Sequence, residues 1–188
     1  MANVIGISGS LRSGSLNSAL LRAAGELAPA GFAVDIASIA DIPLYNGDLE
    51  EQQGIPPAVT VLKDRIAAAD GVLFASPEYN NSIPGVLKNA IDWMSRPSSD
   101  IKRVFGDRPV GVIGASGGAG GTRLSQVAWL PVFRLLGMTF FSGKSVFVAT
   151  GSQSIQDGRL VDEKLREVVR GYMTGFASFV ERNRGGSR

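Results

Sequence analysis

Five short runs of β-branched and aliphatic residues recur along this chain, each followed by a polar or glycine-containing break and most by apolar residues at helical spacing. Val4 to Ile7 breaks at Ser8-Gly9-Ser10, after which Leu16, Leu20, Ala23 and Leu27 recur every three or four residues. Phe32 to Ile36 alternates as a second strand, Asp41 to Gln53 reads as a long polar loop, and Val59, Leu62 and Ile66 mark a second helix. Gly71 to Ala75 is a wholly apolar third strand. It leads through Ser76–Ser82 into a helix striped by Val86, Leu87, Ala90, Ile91 and Met94. Val110 to Ala115 is the fourth strand, Ser116 to Gly121 its loop, and Leu124 to Leu136 a helix despite Pro131. Val146 to Ala149 is the fifth strand. Val161, Leu165, Val168, Tyr172, Phe176 and Phe179 predict a closing helix, and residues 184–188 a disordered tail.

Strands that are apolar throughout are buried on both faces, and parallel strands need helical crossovers of one hand. The expectation is therefore an α/β fold: a doubly wound five-stranded parallel sheet in the flavodoxin-like order 2-1-3-4-5, with helices on both faces. With 188 residues, 44% of them apolar, one core fits and two do not, so residues 1–183 read as a single domain. Ligands of such sheets lie beyond the carboxyl ends of the strands. Three loops fall there: Gly9–Asn17, Ser76–Ser82 and Ser116–Gly121.

The chain has no cysteine and no histidine, which removes disulfides, thiolate nucleophiles, imidazole bases and the usual metal ligands together. If it is an enzyme, a bound cofactor carries the difficult step, and no metal and no catalytic side chain is expected. The net charge of +2 is spread without a basic stripe, so no nucleic-acid partner is expected. No apolar run reaches the ~18 residues of a spanning helix, and the N-terminus lacks a secretory pattern, so no membrane partner and a cytoplasmic location are expected.

The first loop, Gly9-Ser10-Leu11-Arg12-Ser13-Gly14-Ser15-Leu16-Asn17, enters a helix whose free N–H groups suit an anion. Ser10, Ser15 and Asn17 can donate to phosphate oxygens and Arg12 can add a charged contact. The other reading is a polar turn in which Ser15 only caps the helix. Gly9 and Gly14 have P-loop spacing, but Ser15 stands where the lysine belongs, and no G-x-G-x-x-G follows the strand. A terminal monophosphate, as in FMN, is favoured over the pyrophosphate of NAD or FAD.

The second loop, Ser76-Pro77-Glu78-Tyr79-Asn80-Asn81-Ser82, offers a proline, an aromatic and amide donors that suit one edge of a planar ring. Alternatively Pro77 and Pro84 stiffen a turn while Tyr79 fills an apolar gap. Glu78 can be read as a base, but a structural or exposed role suits it better. The third loop, with Ser116, Gly117, Gly118, Gly120 and Gly121, leaves room for a flat ligand or is simply a flexible loop.

With these loops in view, the chain resembles the NADPH-dependent FMN reductase family, in the branch of chromate, quinone and ferric reductases. Gly9-Ser10-Leu11-Arg12 with Ser15 and Asn17 resembles the family's FMN-phosphate loop. Pro77-Glu78-Tyr79-Asn80, Pro84, Leu87-Lys88-Asn89-Ala90-Ile91-Asp92-Trp93 and Ser95-Arg96-Pro97 resemble its longest signature. Ser116, Gly117 and Gly118 fall on its third flavin-contacting loop, and Leu44-Tyr45-Asn46 on a loop that approaches the neighbouring subunit's flavin site.

The resemblance implies ping-pong transfer of hydride from NADPH or NADH through N5 of FMN to small-molecule acceptors, in a homodimer or homotetramer. Arg12 and Arg96 are the candidates for holding the nicotinamide nucleotide or an anionic acceptor. Rival readings are an electron-carrier flavodoxin, which is usually strongly acidic, and a reductase that uses FMN as a substrate. A phosphoacceptor domain is excluded, because Ser8-Gly9 and Ser76 replace the acids it needs.

Overall fold

The structure, a computed structural model, describes residues 1–184. In chain order it comprises β1 (Ala2–Ser8), α1 (Leu16–Glu26), β2 (Phe32–Ala37), α2 (Gly47–Gln53), α3 (Pro57–Ala68), β3 (Gly71–Ala75) and α4 (Gly85–Met94). A 3-10 turn (Ser98–Asp100) and α5 (Ile101–Val104) lead to β4 (Pro109–Ala115), α6 (Arg123–Ala128), α7 (Leu130–Leu136), β5 (Thr139–Phe140) and β6 (Val146–Val148). After α8 (Gly151–Ser154), a small hairpin of β7 (Ile155–Gln156) and β8 (Arg159–Leu160) precedes α9 (Glu163–Asn183).

The main sheet runs β2-β1-β3-β4, and its fifth position is shared by two short strands. β5 pairs with Pro109 and Val110, and β6 pairs with Ile113, Gly114 and Ala115, all in parallel. The flavodoxin-like order therefore holds, with the fifth strand broken around residues 141–145. In register, Ser8 lies beside Ala75, Ala75 beside Ile113, and Ala115 beside Val148. This alignment brings the three loops to one rim.

Alternation along each strand sends neighbouring side chains to opposite faces. Val4, Leu73, Ala75, Ile113 and Ala115 pack against α1 and α9. Ile5, Ile7, Val72, Phe74, Val110 and Val112 pack against α3, α4 and α7 on the other side. Both faces are covered, so β3 and β4 are buried at every position. At the rim, a Cβ on Gly114 would lie 2.3 Å from Thr122 Oγ1 and 2.4 Å from the Ser76 carbonyl oxygen. Only glycine lets β4 pass beneath the second loop at that distance.

Several elements differ from the sequence reading. The expected helix over 124–136 is two segments, since Pro131 has no N–H to donate back and its ring crowds the preceding turn. The segment 41–53 is not loop throughout, because 47–53 forms α2 under an Asn46 cap whose side chain accepts from Asp48 N–H. No α2 residue is buried, so it carries no apolar stripe to read. In α9 the buried row is Val169, Tyr172, Met173, Phe176, Ala177 and Val180, whereas Val168 is 49% exposed and Val161 precedes the helix. Of the expected tail, Arg184 donates its N–H to the Val180 carbonyl, and residues 185–188 lie outside the described residues.

One polar cluster fixes the segment that follows α4. Lys63, 4% exposed, reaches Asp100 Oδ2 at 2.7 Å and also donates to the Arg96 carbonyl. Arg103 grips the same carboxylate at 2.5 and 2.8 Å. The hydrogen bonds from Arg103 first, then from Lys63, hold the Asp100 carboxyl well below the usual carboxylate range. A depressed carboxylate contributes stability above its unfolded value near ~3.9 and loses it as pH falls through the folded one. Asp100→Asn is expected to lose about 1.5–3 kcal/mol at pH 7, the worth of hydrogen bonds to charged groups. In urea unfolding, its deficit against the parent should shrink as pH drops below about 4.

Candidate functional site

Ser15 takes an extended conformation ahead of α1, and its Oγ accepts from Ser18 N–H at 3.1 Å. The first N–H groups of α1 therefore face the rim without helical partners, at the positive end of the helix dipole. Beneath them Ser18 Oγ donates to Ser8 Oγ at 2.9 Å, and Ser10 N–H reaches Ser8 Oγ at 3.3 Å. The hydroxyls thus shape the turn from β1 into α1, and Ser15 caps the helix without closing the space above the loop where an anion is expected.

Asn17 has a role that the sequence did not reveal. It is buried, and its Nδ2 donates to the Ala115 carbonyl at 2.8 Å while its Oδ1 accepts from Ala115 N–H at 2.9 Å. This two-way bond ties the first turn of α1 to the end of β4. The amide keeps one N–H for a ligand, and its main work is to hold the first and third loops together.

The second loop is anchored from below. Buried Ser76 Oγ lies 3.0 Å from Ser125 Oγ and accepts from Trp129 Nε1 at 2.9 Å. Ser125 also donates through its hydroxyl to the Pro77 carbonyl and through its N–H to Glu78 Oε2, at 2.9 and 3.0 Å. Glu78 is thus spent on the start of α6, which supports its structural reading. Ser125 was missed because it stands far from the motif in sequence and only the fold brings them together. Tyr79 and Ser82 exchange backbone hydrogen bonds around Asn80 and Asn81, whose φ values of 51° and 61° make a tight left-handed turn. Tyr79 is 43% exposed at the rim and so does not fill a core gap.

Close approach joins these loops. A Cβ on Gly9 would sit 2.9 Å from Pro77 Cδ and 3.0 Å from Pro84 Cγ. In the third loop, Ser116 Oγ accepts from Gly118 N–H at 3.1 Å, and Thr150 N–H donates to the Gly118 carbonyl at 3.0 Å. A Cβ on Gly117 would meet nothing within 4 Å. The chain's own packing therefore does not require glycine there, and the space it leaves opens onto the rim.

Ser10, Arg12, Ser15, Leu16, Asn17, Pro77, Glu78, Tyr79, Ser116 and Gly117 line one concavity. Asn80 and Gly118 stand just outside its lining, and Arg96 belongs to a separate cluster. Arg96 Nε contacts both Glu50 oxygens at 3.0 and 2.9 Å, and Tyr45 donates its hydroxyl to Glu50 at 2.9 Å. The Arg96 contact is the chief reason that the Glu50 carboxyl is held below its ordinary range. Asn89 and Trp93 hold the loop before α2: Asn89 accepts from Tyr45 N–H at 2.8 Å, and both donate to the Pro43 carbonyl, at 2.8 and 2.9 Å. The long signature in α4 is thereby explained as a core stripe plus a clamp on residues 43–45.

The exposed start of α1, the rim at Tyr79 and the glycine-containing loop at Gly117 enclose one concavity beyond the carboxyl ends of a 2-1-3-4 sheet, the arrangement of a flavodoxin-like protein. Residues 2–153 match the NADPH-dependent FMN reductase family, and the chain belongs to it. It is 43% identical over 183 residues to the NAD(P)H-dependent FMN reductase of Pseudomonas aeruginosa, covering 97% of each chain. To the quinone reductase of Escherichia coli K12 it is 37% identical over 185 residues, 95% of each. The flavoenzyme NAD(P)H:(acceptor) oxidoreductase FerB of Paracoccus denitrificans superposes with a TM-score of 0.86 at 33% identity, over 97% of this chain and 99% of that one.

Gly117→Val projects into the open wall, where its Cβ meets no protein atom within 4 Å. It is expected to weaken FMN binding at least tenfold, measured by quenching of flavin fluorescence, while the apoprotein melts within about 1 °C of the parent. A parallel fall in melting temperature would show instead that the glycine serves the fold.

Proposed function

We propose that this chain is an FMN-dependent NAD(P)H:acceptor oxidoreductase acting on quinones and similar small acceptors. The observation that carries this reading is the single concavity in which unpaired N–H groups of α1, Arg12 and the open wall at Gly117 converge at the rim of the sheet. The donor set fits FMN: one helix N-terminus with serine hydroxyls suits one phosphate, and glycines with Tyr79 suit a flat ring. Ser10, Arg12, Ser15 and the backbone of Leu16 and Asn17 would hold the phosphate. Pro77, Glu78, Tyr79, Asn80, Ser116, Gly117 and Gly118 would border the ring. Bound there, FMN would supply the redox chemistry, two-electron transfer from NADPH or NADH to the acceptor in a ping-pong order.

The protein's part is to bind and orient. Asn17 fixes the spacing of two loops, and the Ser76–Ser125–Trp129 network fixes the third edge. Arg12 is exposed, so its charge is available to a nicotinamide nucleotide or an anionic acceptor. Arg96 reaches such a ligand only by giving up or sharing Glu50. The curated relatives and the near-neutral charge both support a reductase over a protein-docking carrier.

The same reading includes a homo-oligomer. Leu124 (52% exposed), Val127 (63%), Leu130 (41%) and Leu135 (82%) line the outer side of α6 and α7, where apolar side chains gain by being covered. Val127→Lys with Leu135→Lys is expected to convert the native assembly to monomer in analytical ultracentrifugation while circular dichroism stays unchanged. An unaltered sedimentation coefficient would place the contact elsewhere.

Visible spectra of the purified protein test the whole cycle. Flavin bands should bleach on anaerobic NADPH or NADH and return on adding a quinone. Bands that persist with both donors point to the carrier reading, and a colourless protein that does not bind added FMN removes the cofactor.

A further inference from the structure

Beside the flavin concavity, on its β2 side, lies a second groove of about 370 Å3 between α1 and the carboxyl end of β2. The two share Ser10 and Arg12 in their linings, so the second groove opens directly beside the first. The groove's chemistry is mixed in a particular way. Leu11 (52% exposed) and Ile36 (45%) present apolar surface at its sides, a bed suited to a purine ring. Arg12 and Arg22 stand with them, and neither meets a carboxylate among the described residues. Arg22 is held in place by donating to the Gly158 carbonyl at 3.2 Å. That carbonyl belongs to the Asp157-Gly158 turn of the β7–β8 hairpin, whose φ values of 47° and 73° are both left-handed.

No carboxylate lines the groove. At the end of β2 stands Ser38, whose Oγ accepts from Ala40 N–H at 3.1 Å and keeps its own hydrogen to donate. In doubly wound sheets that read a dinucleotide, an acid about twenty residues beyond the first loop takes the ribose 2′-hydroxyl of NAD, while an arginine accommodates a 2′-phosphate. Here the first loop serves the resident FMN phosphate, and the neighbouring groove offers the second kind of chemistry: hydroxyl, guanidinium and no acid. The apolar sides also distinguish it from a bare anion trap, which would need no surface for a base.

We infer that this groove receives the adenosine 2′-phosphate end of NADPH, with Arg22 contacting the phosphate and Ser38 bordering it, so that Arg22 sets preference for NADPH over NADH. The inference rests on the reductase reading, and it concerns binding alone: no bond is made or broken in the groove.

The test uses the FMN-loaded protein and two fragments, 2′,5′-ADP and 5′-AMP, in isothermal titration calorimetry. The 2′-phosphate fragment should bind at least tenfold more tightly, and Arg22→Gln should remove most of that advantage. In stopped-flow reduction of the flavin, the ratio of NADPH to NADH efficiency should fall about tenfold in Arg22→Gln. Ser38→Asp, an exposed site that tolerates the change, should lower the same ratio by like-charge repulsion and requires no loss of packing. Equal affinity for the two fragments, or an unchanged ratio in both variants, overturns the inference. Loss of FMN from Arg22→Gln would also overturn it, since the arginine would then belong to the flavin phosphate site. Failure of both donors to reduce the flavin in the parent protein is a different result, and strikes the reductase reading itself.

Discussion

The site depends on one buried exchange of hydrogen bonds, between the side-chain amide of Asn17 and the backbone of Ala115. A helix N-terminus can face an anion only if something holds that helix at the right height above the sheet. Apolar packing of Leu20, Leu21 and Ala24 seats α1 against the strands, but such contacts have no preferred direction. A two-point amide contact is directional and adds a defined register. Because its partner is the last residue of β4, it also sets where the glycine-rich loop begins. Two walls of the concavity are thus positioned by one side chain, and the cost of leaving either backbone group unpaired in the interior keeps the contact closed.

The third wall is set by a different kind of constraint, the absence of side chains. Gly9 and Gly114 let the first and third loops come within van der Waals distance of the second, and larger residues would strike Pro77 or the Ser76 carbonyl. Beneath that contact, Ser76, Ser125 and Trp129 satisfy one another, and every buried side-chain polar atom among the described residues has a partner. A rigid rim follows from packing and hydrogen bonding together. The ligand's surroundings are therefore built before it arrives, which suits a chain whose own side chains supply position more than chemistry.

How much of this was legible follows from where the information sits. β1, β3 and β4 with α1 and α4 carry buried rows that sequence periodicity exposes, and the strand order follows from crossover handedness. α2 has no buried face, so only the Asn46 cap and the acids Asp48 and Glu50 mark it. In α9, Tyr172 and Phe176 are buried and Leu165 and Phe179 pack against the core as read, but Val169 takes the inner place expected of Val168, and only tertiary contact distinguishes the two adjacent valines. The broken fifth strand hides in a segment where Thr139-Phe140 and Val146–Val148 each claim part of one β4 edge. The β7–β8 hairpin did carry a local signal, Asp157-Gly158, the dipeptide that left-handed turns favour. At the site, the residues of the three loops were visible as motifs, but Ser125 and the true partner of Asn17 were not. Both act across long sequence separations, which no local pattern encodes.

Arg96 shows why a motif alone does not assign a role. Ser95-Arg96-Pro97 lies close in sequence to the flavin loops, yet its guanidinium is paired with Glu50, and Lys63 holds its carbonyl. Glu50 rides on α2, which has no buried residue and touches the core only through half-buried Leu49, and Tyr45 joins it through the clamp at Asn89 and Trp93. The charge of Arg96 is therefore coupled to the placement of a polar helix. An anion that bound Arg96 would compete with Glu50 and loosen α2, whereas an anion at Arg12 or Arg22 displaces no carboxylate. On energetic grounds the two arginines beside α1, which meet no carboxylate among the described residues, are the easier place for a phosphate, since binding there forfeits no ion pair.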